Sequence, residues 1–244
     1  MSHEASPCRF FAESLDGEVV ELSAAEAHHG VDVLRLRAGE VVEVFDGAGA
    51  VATGTFQLTG RKAAGVRITQ RGPLRQRPRP LVELAFAVPK GKRLDWLLEK
   101  ATELGAAALA PVAFQRSVVR PVFTPHARDR WRGICIAAAK QCGADFLPEI
   151  IPPRPLAEHL AGASQDVRIF GEIHSNRPLR VVLDRTERED RIGVLVGPEG
   201  GLTDAEREAA EGAGFCAVRL GAYPLRVETA AVAFLAAIRA CCEP

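Results

Sequence analysis

The amino-terminal third of the chain alternates short apolar runs with turn residues. Strands are predicted at residues 9–11, 18–22, 41–45, 51–58 and 65–69. Asp46-Gly47 marks a hairpin between the third and fourth strands. Ser23 and Glu26 have capping-box spacing, which predicts a helix from there through Leu36. Five short strands with one helix are typical of a small closed β-barrel.

The segment 73–80 separates this pattern from a different one. It contains three prolines and three arginines, a composition that continues neither a helix nor a sheet. We therefore predict a stiff linker at 73–80 between a domain at 1–72 and a second domain at 81–244.

From residue 81 onward, apolar strands alternate with amphipathic helices. Strands are predicted at 81–88, 109–112, 167–170, 192–196 and 217–220, with a short extended piece at 118–119. Helices are predicted at 93–104, 125–142, 179–183, 203–212 and 228–241, and Gly105 and Gly143 end the first two. This alternation predicts an α/β fold with a mostly parallel sheet.

Two glycine-containing turns each follow an apolar strand and lead into a helix. The first, Gly197-Pro198-Glu199-Gly200-Gly201, precedes a capping box formed by Thr203 and Glu206. The second runs from Leu220 to Ala230. Such loops at the carboxyl ends of neighbouring parallel strands would form one crevice, where open α/β sheets bind ligands. Neither turn has a dinucleotide or P-loop pattern, and the capping box already satisfies the amides after the first turn, so a phosphate site is disfavoured.

Charge and composition narrow the possible partners. The formal net charge is +0, but seven Lys and Arg with no acidic residue lie between Arg61 and Arg79. This asymmetry permits binding of a polyanion on one side, although solvated faces would look the same. The six cysteines lack C-x-x-C and zinc spacing, and no apolar run is long enough to span a membrane. We therefore expect a cytoplasmic protein with reduced thiols and without a metal or membrane partner.

Several motifs, taken together with the two turns, resemble one known family. They are Arg9-Phe10-Phe11, His28-His29, Val33-Leu34-Arg35, the stretch from Lys90 through Arg93 to Gly105, Gln115-Arg116-Ser117-Val118-Val119 and Ala138-Ala139-Lys140-Gln141-Cys142-Gly143. Over nearly its whole length the chain resembles the RsmE family of ribosomal RNA methyltransferases. The first turn and Leu225-Arg226-Val227-Glu228-Thr229 are the most specific parts of the resemblance.

The resemblance implies a fold and an activity. The expected fold is a PUA-like RNA-binding β-barrel at 1–72, followed by a SPOUT-class α/β methyltransferase domain at 81–244 with a trefoil knot in its C-terminal chain. The expected methyl donor is S-adenosylmethionine. The expected acceptor is N3 of a uridine in 16S ribosomal RNA of the small ribosomal subunit, and the expected assembly is a homodimer.

The resemblance also implies which residues form the site. Those assigned to the methyl donor are Phe170, Gly171, Val196, Gly197, Pro198, Glu199, Gly200, Gly201, Leu220, Gly221, Leu225, Arg226, Val227, Glu228, Thr229 and Ala230. The candidate RNA contacts are Arg9, His29, Arg35, Lys90, Arg93 and Arg116.

Methylation at uracil N3 requires loss of the N3 proton, and this suggests roles for two residues. Arg226 would hold the developing uracil oxyanion or a phosphate. Glu228 would orient this arginine or accept the proton, while an ordinary helix N-terminal carboxylate is the alternative for that residue.

Two other functions fit parts of the sequence. A non-catalytic RNA-binding or ribosome-assembly factor would keep the basic segments, but the two intact turns with Arg226 and Glu228 argue against it. A nucleotide-dependent enzyme such as a dehydrogenase would need a phosphate-binding fingerprint, which the chain lacks.

Overall fold

A computed structural model describes residues 7–60, 63–120 and 123–242. The chain forms two compact units, 1–77 with 139–147 and 78–138 with 148–244. The division at 77/78 falls inside the segment 73–80, where no helix or strand forms. It differs from the sequence-based division in assigning residues 139–147 to the first unit. Arg61 and Lys62 of the basic segment lie outside the described residues.

The described residues of the first unit form five strands and a short helical segment. Its elements are β1 (Cys8–Phe11), β2 (Val19–Glu21), α1 (Ala24–His28), β3 (Val41–Phe45), β4 (Val51–Leu58) and β5 (Ala64–Arg71). The strand order is β1-β3-β4-β5-β2, in which β1 and β3 are parallel and the other pairs antiparallel. The apolar side chains of this unit form one core around Phe10 and Phe56.

The helix predicted to continue to Leu36 changes character after His28. Residues His29–Val33 form a π-helical turn. Gly30 is buried there against the ring of Phe56, and a Cβ on Gly30 would lie only 2.8 Å from this ring. The absence of a side chain at Gly30 therefore allows the turn to pack closely on the sheet, a tertiary constraint that local pattern does not reveal.

Glu26 forms only half of the predicted capping box. The hydroxyl of Ser23 accepts a hydrogen bond from the Glu26 amide at 3.3 Å. The Glu26 carboxylate instead accepts from the Phe11 amide at 2.9 Å and from Lys140 Nζ at 2.8 Å. A buried carboxylate needs strong partners, and these two replace the cap.

Arg9 connects the sheet of the first unit with residues 139–147. Its Nε lies 2.8 Å from Glu43 Oε1, and its Nη1 donates to the carbonyl oxygen of Ala144 at 2.9 Å. The guanidinium also pairs with Asp145 and lies 4.2 Å from the centre of the Phe45 ring. Only 8% of the Arg9 side chain is exposed. These contacts identify Arg9 as a structural residue of the first unit.

The second unit is a seven-stranded sheet with helices. Its elements are β6 (Leu81–Ala87), α2 (Lys92–Glu103), β7 (Ala108–Ala113), α3 (Pro125–Cys142, of which 139–142 belong to the first unit), β8 (Glu149–Ile150), β9 (Arg154–Pro155), α4 (Leu156–Ala161), β10 (Val167–Gly171), α5 (Leu179–Leu183), β11 (Arg191–Val196), α6 (Asp204–Gly212), β12 (Cys216–Val218) and α7 (Val227–Cys242). The strand order is β12-β10-β11-β6-β7-β8, and β9 also pairs with β7.

All strand pairs of this sheet are parallel, which confirms the prediction of an α/β fold with a parallel sheet. The predicted extended piece at 118–119 is wrong, since these residues form no strand. Three short elements, β8, β9 and α4, were not predicted, because two-residue strands and a six-residue helix are too short to show a clear periodicity. Among the described residues, no helix is long and apolar enough to cross a bilayer.

Arg239 of α7 forms hydrogen bonds with the backbone at the end of α2. The side chain is buried, and it donates from Nε to the Leu104 carbonyl at 3.0 Å and from Nη2 to the Gly105 carbonyl at 2.6 Å. Its Nη1 donates to the carbonyl of Pro80 at 3.0 Å. A cation at these carbonyls satisfies the free acceptors at the end of a helix.

Replacing Arg239 with Met should therefore destabilise the protein. The change removes the donors to the carbonyl groups of Pro80, Leu104 and Gly105, which are buried or partly buried, and we expect a loss of about 2 to 4 kcal/mol in the free energy of unfolding. Urea titration followed by circular dichroism measures it. Arg180→Met is the matched control, because 85% of the Arg180 side chain is exposed. A loss below about 0.5 kcal/mol for Arg239→Met would contradict this role.

A polar cluster of buried and half-buried side chains surrounds Glu83 of β6. Gln165 donates to Glu83 Oε2 at 2.9 Å, and His159 Nδ1 lies 3.9 Å from Glu83 Oε1. His159 is buried, and this burial lowers its pKa to about 4, with a further lowering from the charge of Arg154. His159 is consequently neutral in the folded protein at neutral pH.

This buried histidine should make stability depend on pH. The unfolded chain takes up a proton on His159 near pH 6.5 and the folded chain only near pH 4, so stability falls on acidification between these values. The loss attributable to His159 should total about 3 kcal/mol. Urea midpoints at pH 7.5, 6, 5 and 4 should fall less steeply in His159→Gln than in the wild type. Parallel pH profiles would show that His159 does not contribute.

Candidate functional site

The carboxyl ends of three parallel strands meet at one edge of the second unit. Phe170 of β10 is in register with Leu195 of β11, and Gly171 is in register with Val218 of β12. The two glycine turns follow β11 and β12. The prediction that these two strands are neighbours is wrong, because β10 lies between them. Residues that follow β10 therefore also belong to the site.

A cavity of about 150 Å³ lies at this edge. The predicted residues in its wall are Gly171 from β10, then Val196, Gly197, Pro198, Glu199 and Gly201 from the first turn, and Leu220, Gly221, Leu225 and Ala230 from the second. Its wall does not include the other predicted residues, namely Phe170, Gly200, Arg226, Val227, Glu228 and Thr229. Phe170 and Val227 are buried in the core instead, since neighbouring residues of a strand or helix face different sides.

The cavity also includes residues that sequence reasoning missed. They are Glu172, Ile173, Leu202, Val218, Tyr223, Pro224 and Phe234. Glu172 and Ile173 directly follow β10. The sequence did not reveal that β10 lies between β11 and β12, and so these two residues were not assigned to the cavity. Phe234 lies one turn of helix beyond Ala230 on α7, so an i, i+4 extension of the predicted face would have found it.

The first glycine turn is held by hydrogen bonds on both sides. The capping box is confirmed: the Glu206 amide donates to Thr203 Oγ1 at 3.2 Å, and the Thr203 amide donates to Glu206 Oε2 at 2.8 Å. Arg116 Nη1 donates to the Gly200 carbonyl at 2.8 Å. This places Arg116, a predicted RNA contact, against the backbone of the turn.

The second glycine turn is open to solvent. Residues 221–226 are all exposed, and the Tyr223 side chain has 80% of its surface in solvent. The side chain of Arg226 makes no ion pair with any residue in the described parts of the chain. The turn ends at Val227, which is buried and begins α7.

Glu228 lies just behind this turn and is only 7% exposed. Its Oε1 is 3.8 Å from Arg93 Nη1, while its buried Oε2 has no hydrogen-bond partner within the described residues. The same Arg93 nitrogen donates to Glu199 Oε1 at 3.4 Å. Arg93 of α2 therefore contacts the carboxylate of Glu199 in the first glycine turn and that of Glu228, which directly follows the second turn at the start of α7.

The remaining candidate RNA contacts have different surroundings. Arg35 and Lys90 are exposed, and Arg35 has a left-handed backbone (φ 57°), which is uncommon for a residue other than glycine. His29 is half-buried with its ring centre 6.3 Å from that of Phe10. Burial lowers the pKa of His29, and nearby Lys140 lowers it further.

Sequence and structure comparisons define the class of protein. The RNA methyltransferase domain family matches residues 76–239, and the RNA methyltransferase PUA domain family matches residues 22–69. No group of three or more metal-ligating side chains occurs in the part of the chain that the structure describes. The range matched by the RNA methyltransferase domain family includes both glycine turns and the cavity, so this part of the chain is the catalytic domain of an RNA methyltransferase.

Individual relatives narrow this class to one family. The ribosomal RNA small subunit methyltransferase E of Synechocystis sp. is 32% identical, over 95% of this chain and 76% of the relative. Its counterpart in Bacillus subtilis is 28% identical, over 94% of this chain and 95% of the relative. A crystal structure of the Neisseria gonorrhoeae enzyme, bound to S-adenosyl methionine, is 30% identical with a TM-score of 0.86, covering 96% of this chain and 97% of that one. The chain belongs to this family, the RsmE methyltransferases.

Proposed function

We propose that this protein transfers the methyl group of S-adenosylmethionine to N3 of a uridine in 16S ribosomal RNA of the small subunit. The cavity between the two glycine turns and the end of β10 carries this proposal. The Neisseria relative, whose structure has S-adenosyl methionine bound, covers 96% of this chain. Its name specifies small-subunit ribosomal RNA, and we extend that substrate to the present chain.

The residues of the cavity fit the methyl donor. S-adenosylmethionine supplies an electrophilic methyl group on a positively charged sulfur. Val196, Leu220 and Phe234 would cover the faces of its adenine, and backbone groups of the turns would bind the adenine edge. Glu172 and Glu199 add negative charge to the wall, which suits a cationic ligand.

Arg226 and Glu228 are the proposed catalytic residues. The exposed guanidinium of Arg226 would hold the uracil oxygen on which negative charge develops as the N3 proton leaves. Glu228 would accept this proton. Its buried Oε2 has no hydrogen-bond donor within the described residues, and the N3–H group of a bound uracil could supply one. Both residues lie outside the cavity wall, so the base would approach from the side of the second turn.

The first unit is the proposed RNA-binding domain. We assign RNA contacts to His29 and Arg35 there and to Lys90 in the second unit, on the grounds of their position and exposure. Arg9 and Arg116 have their guanidinium groups engaged with other parts of the chain, and we assign them structural roles. Measuring the RNA affinity of Arg35→Ala at several salt concentrations would test the assignment of Arg35 as an RNA contact.

The proposal includes the finer features of the family. These are a closed PUA-like barrel in residues 1–72, a linker at 73–80, a SPOUT domain at 81–244 with a trefoil knot in its C-terminal chain, and a homodimer. Arg239 of α7 makes a buried hydrogen bond to the carbonyl of Pro80, and this agrees with a C-terminal segment that is held inside the fold. Six free cysteines agree with a cytoplasmic protein. A monomeric mass in light scattering at micromolar concentration would exclude the homodimer.

Family membership favours a methyltransferase over the two other functions that the sequence left open, a non-catalytic assembly factor and a dehydrogenase-like enzyme. Calorimetry with S-adenosylmethionine and with NAD distinguishes these functions, because only the methyltransferase requires S-adenosylmethionine. Binding of NAD alone would favour the dehydrogenase. Binding of neither would favour the assembly factor.

Methyl transfer to ribosomal RNA is the direct test. We expect label from S-adenosylmethionine to appear in 30S subunits or in naked 16S RNA that lacks the modification. Mass spectrometry of nuclease digests should identify N3-methyluridine as the product. Label on a cytosine or on a ribose 2′-hydroxyl would refute the proposed acceptor.

The two catalytic assignments predict different losses. Arg226→Ala should lower kcat about 10²-fold at saturating RNA and methyl donor, because an oxyanion donor is lost. Glu228→Gln keeps the shape of the side chain but not its basicity, and it should lower kcat by about 10²-fold or more. Glu208→Gln on the exposed face of α6 is the matched control, with kcat within about twofold of wild type. Near-normal turnover of either site variant removes that residue from the mechanism.

A further inference from the structure

We propose that Arg93 is a positioning residue that couples the two glycine turns through Glu199 and Glu228. This inference rests on the proposed methyltransferase function and deepens it. One nitrogen, Arg93 Nη1, lies 3.4 Å from Glu199 Oε1 and 3.8 Å from Glu228 Oε1. Glu199 belongs to the wall of the cavity, whereas Glu228 lies behind the second turn.

The burial of Glu228 explains why a cation is needed at this point. A carboxylate that is only 7% exposed is costly unless an opposite charge or hydrogen bonds compensate it. Within the described residues, Arg93 supplies the ion pair of Glu228. Loss of Arg93 would leave the carboxylate free to turn toward solvent, away from the position needed to receive the N3 proton.

The location of Arg93 in its helix supports a specific role. Arg93 is in the first turn of α2, where a positive charge opposes the helix dipole and gains nothing for helix stability. Two carboxylates from other elements compensate this unfavourable position. The contacts therefore favour a bridging role within the protein over the role of a phosphate contact, which the sequence suggested for this residue.

Steady-state kinetics with Arg93→Gln and Arg93→Lys test the bridge. Arg93→Gln should lower kcat about tenfold or more, and Arg93→Lys should restore most of this loss because it keeps the charge. The KM for RNA and its salt dependence should stay within about twofold of wild type. Arg180→Gln, which removes the same charge from an exposed position, is the control. A raised KM with a shallower salt dependence and an unchanged kcat would instead identify a phosphate contact and overturn the inference.

A double-mutant cycle shows whether Arg93 acts through Glu228. In the Glu228→Gln background, single-turnover rates should fall less than twofold further on adding Arg93→Gln, since the charge on which Arg93 acts is already gone. Additive losses would mean that Arg93 acts independently of Glu228, and they would refute the coupling.

Hydrogen exchange provides a readout that does not require activity. Amides of residues 199–201 and 221–230 should exchange faster in Arg93→Gln than in wild type, Arg93→Lys or Arg180→Gln. Unchanged exchange in both turns would overturn the bridge even if methyl transfer occurs. A wild-type protein that transfers no methyl group would refute the proposed function alone, because the exchange experiment still decides whether Arg93 couples the turns.

Discussion

The candidate site depends on the parallel alignment of β11, β10 and β12. In a parallel sheet the carboxyl ends of the strands lie at one edge, so the segments that follow them converge without any direct contact being required. Two turns separated by about twenty residues in the chain thereby enclose one cavity, and residues after β10 complete its wall. An antiparallel placement of any of these strands would carry its loop to the opposite edge.

Arginine side chains connect the segments around this site. Arg239 binds carbonyl groups at the end of α2 and at Pro80, Arg116 binds the carbonyl of Gly200, and Arg93 faces the carboxylates of Glu199 and Glu228. A guanidinium group suits these positions because it offers five donors in a rigid plane and never loses its charge. A basic sequence in an RNA-modifying protein therefore does not identify RNA contacts by itself. Which arginines are available for RNA depends on which have no internal acceptor.

The two turns differ in how firmly they are held and in how far they are exposed to solvent. The first is held rigidly by a complete capping box and by Arg116, as expected for a wall that must fit a cofactor. The second is exposed from residue 221 to 226 and includes Tyr223 and Arg226, which suits contact with a large substrate. In this loop Ala222, Tyr223, Pro224 and Leu225 precede Arg226 and carry no positive charge. The arginine available here for a substrate is thus Arg226.

The sequence by itself determined the elements that local chemistry controls. Strand β4, helix α3 and the capping box at Thr203 and Glu206 were predicted correctly, because apolar periodicity and cap hydrogen bonds act between residues close in the chain. The two glycine turns were recognised for the same reason. Only the tertiary structure decided that β10 lies between β11 and β12. It also decided that the Glu26 carboxylate pairs with Lys140 rather than completing the capping box, and that Arg93 contacts both Glu199 and Glu228. Each of these depends on groups far apart in sequence, where the partner of a charge or a strand is selected by packing and burial rather than by its neighbours in the chain.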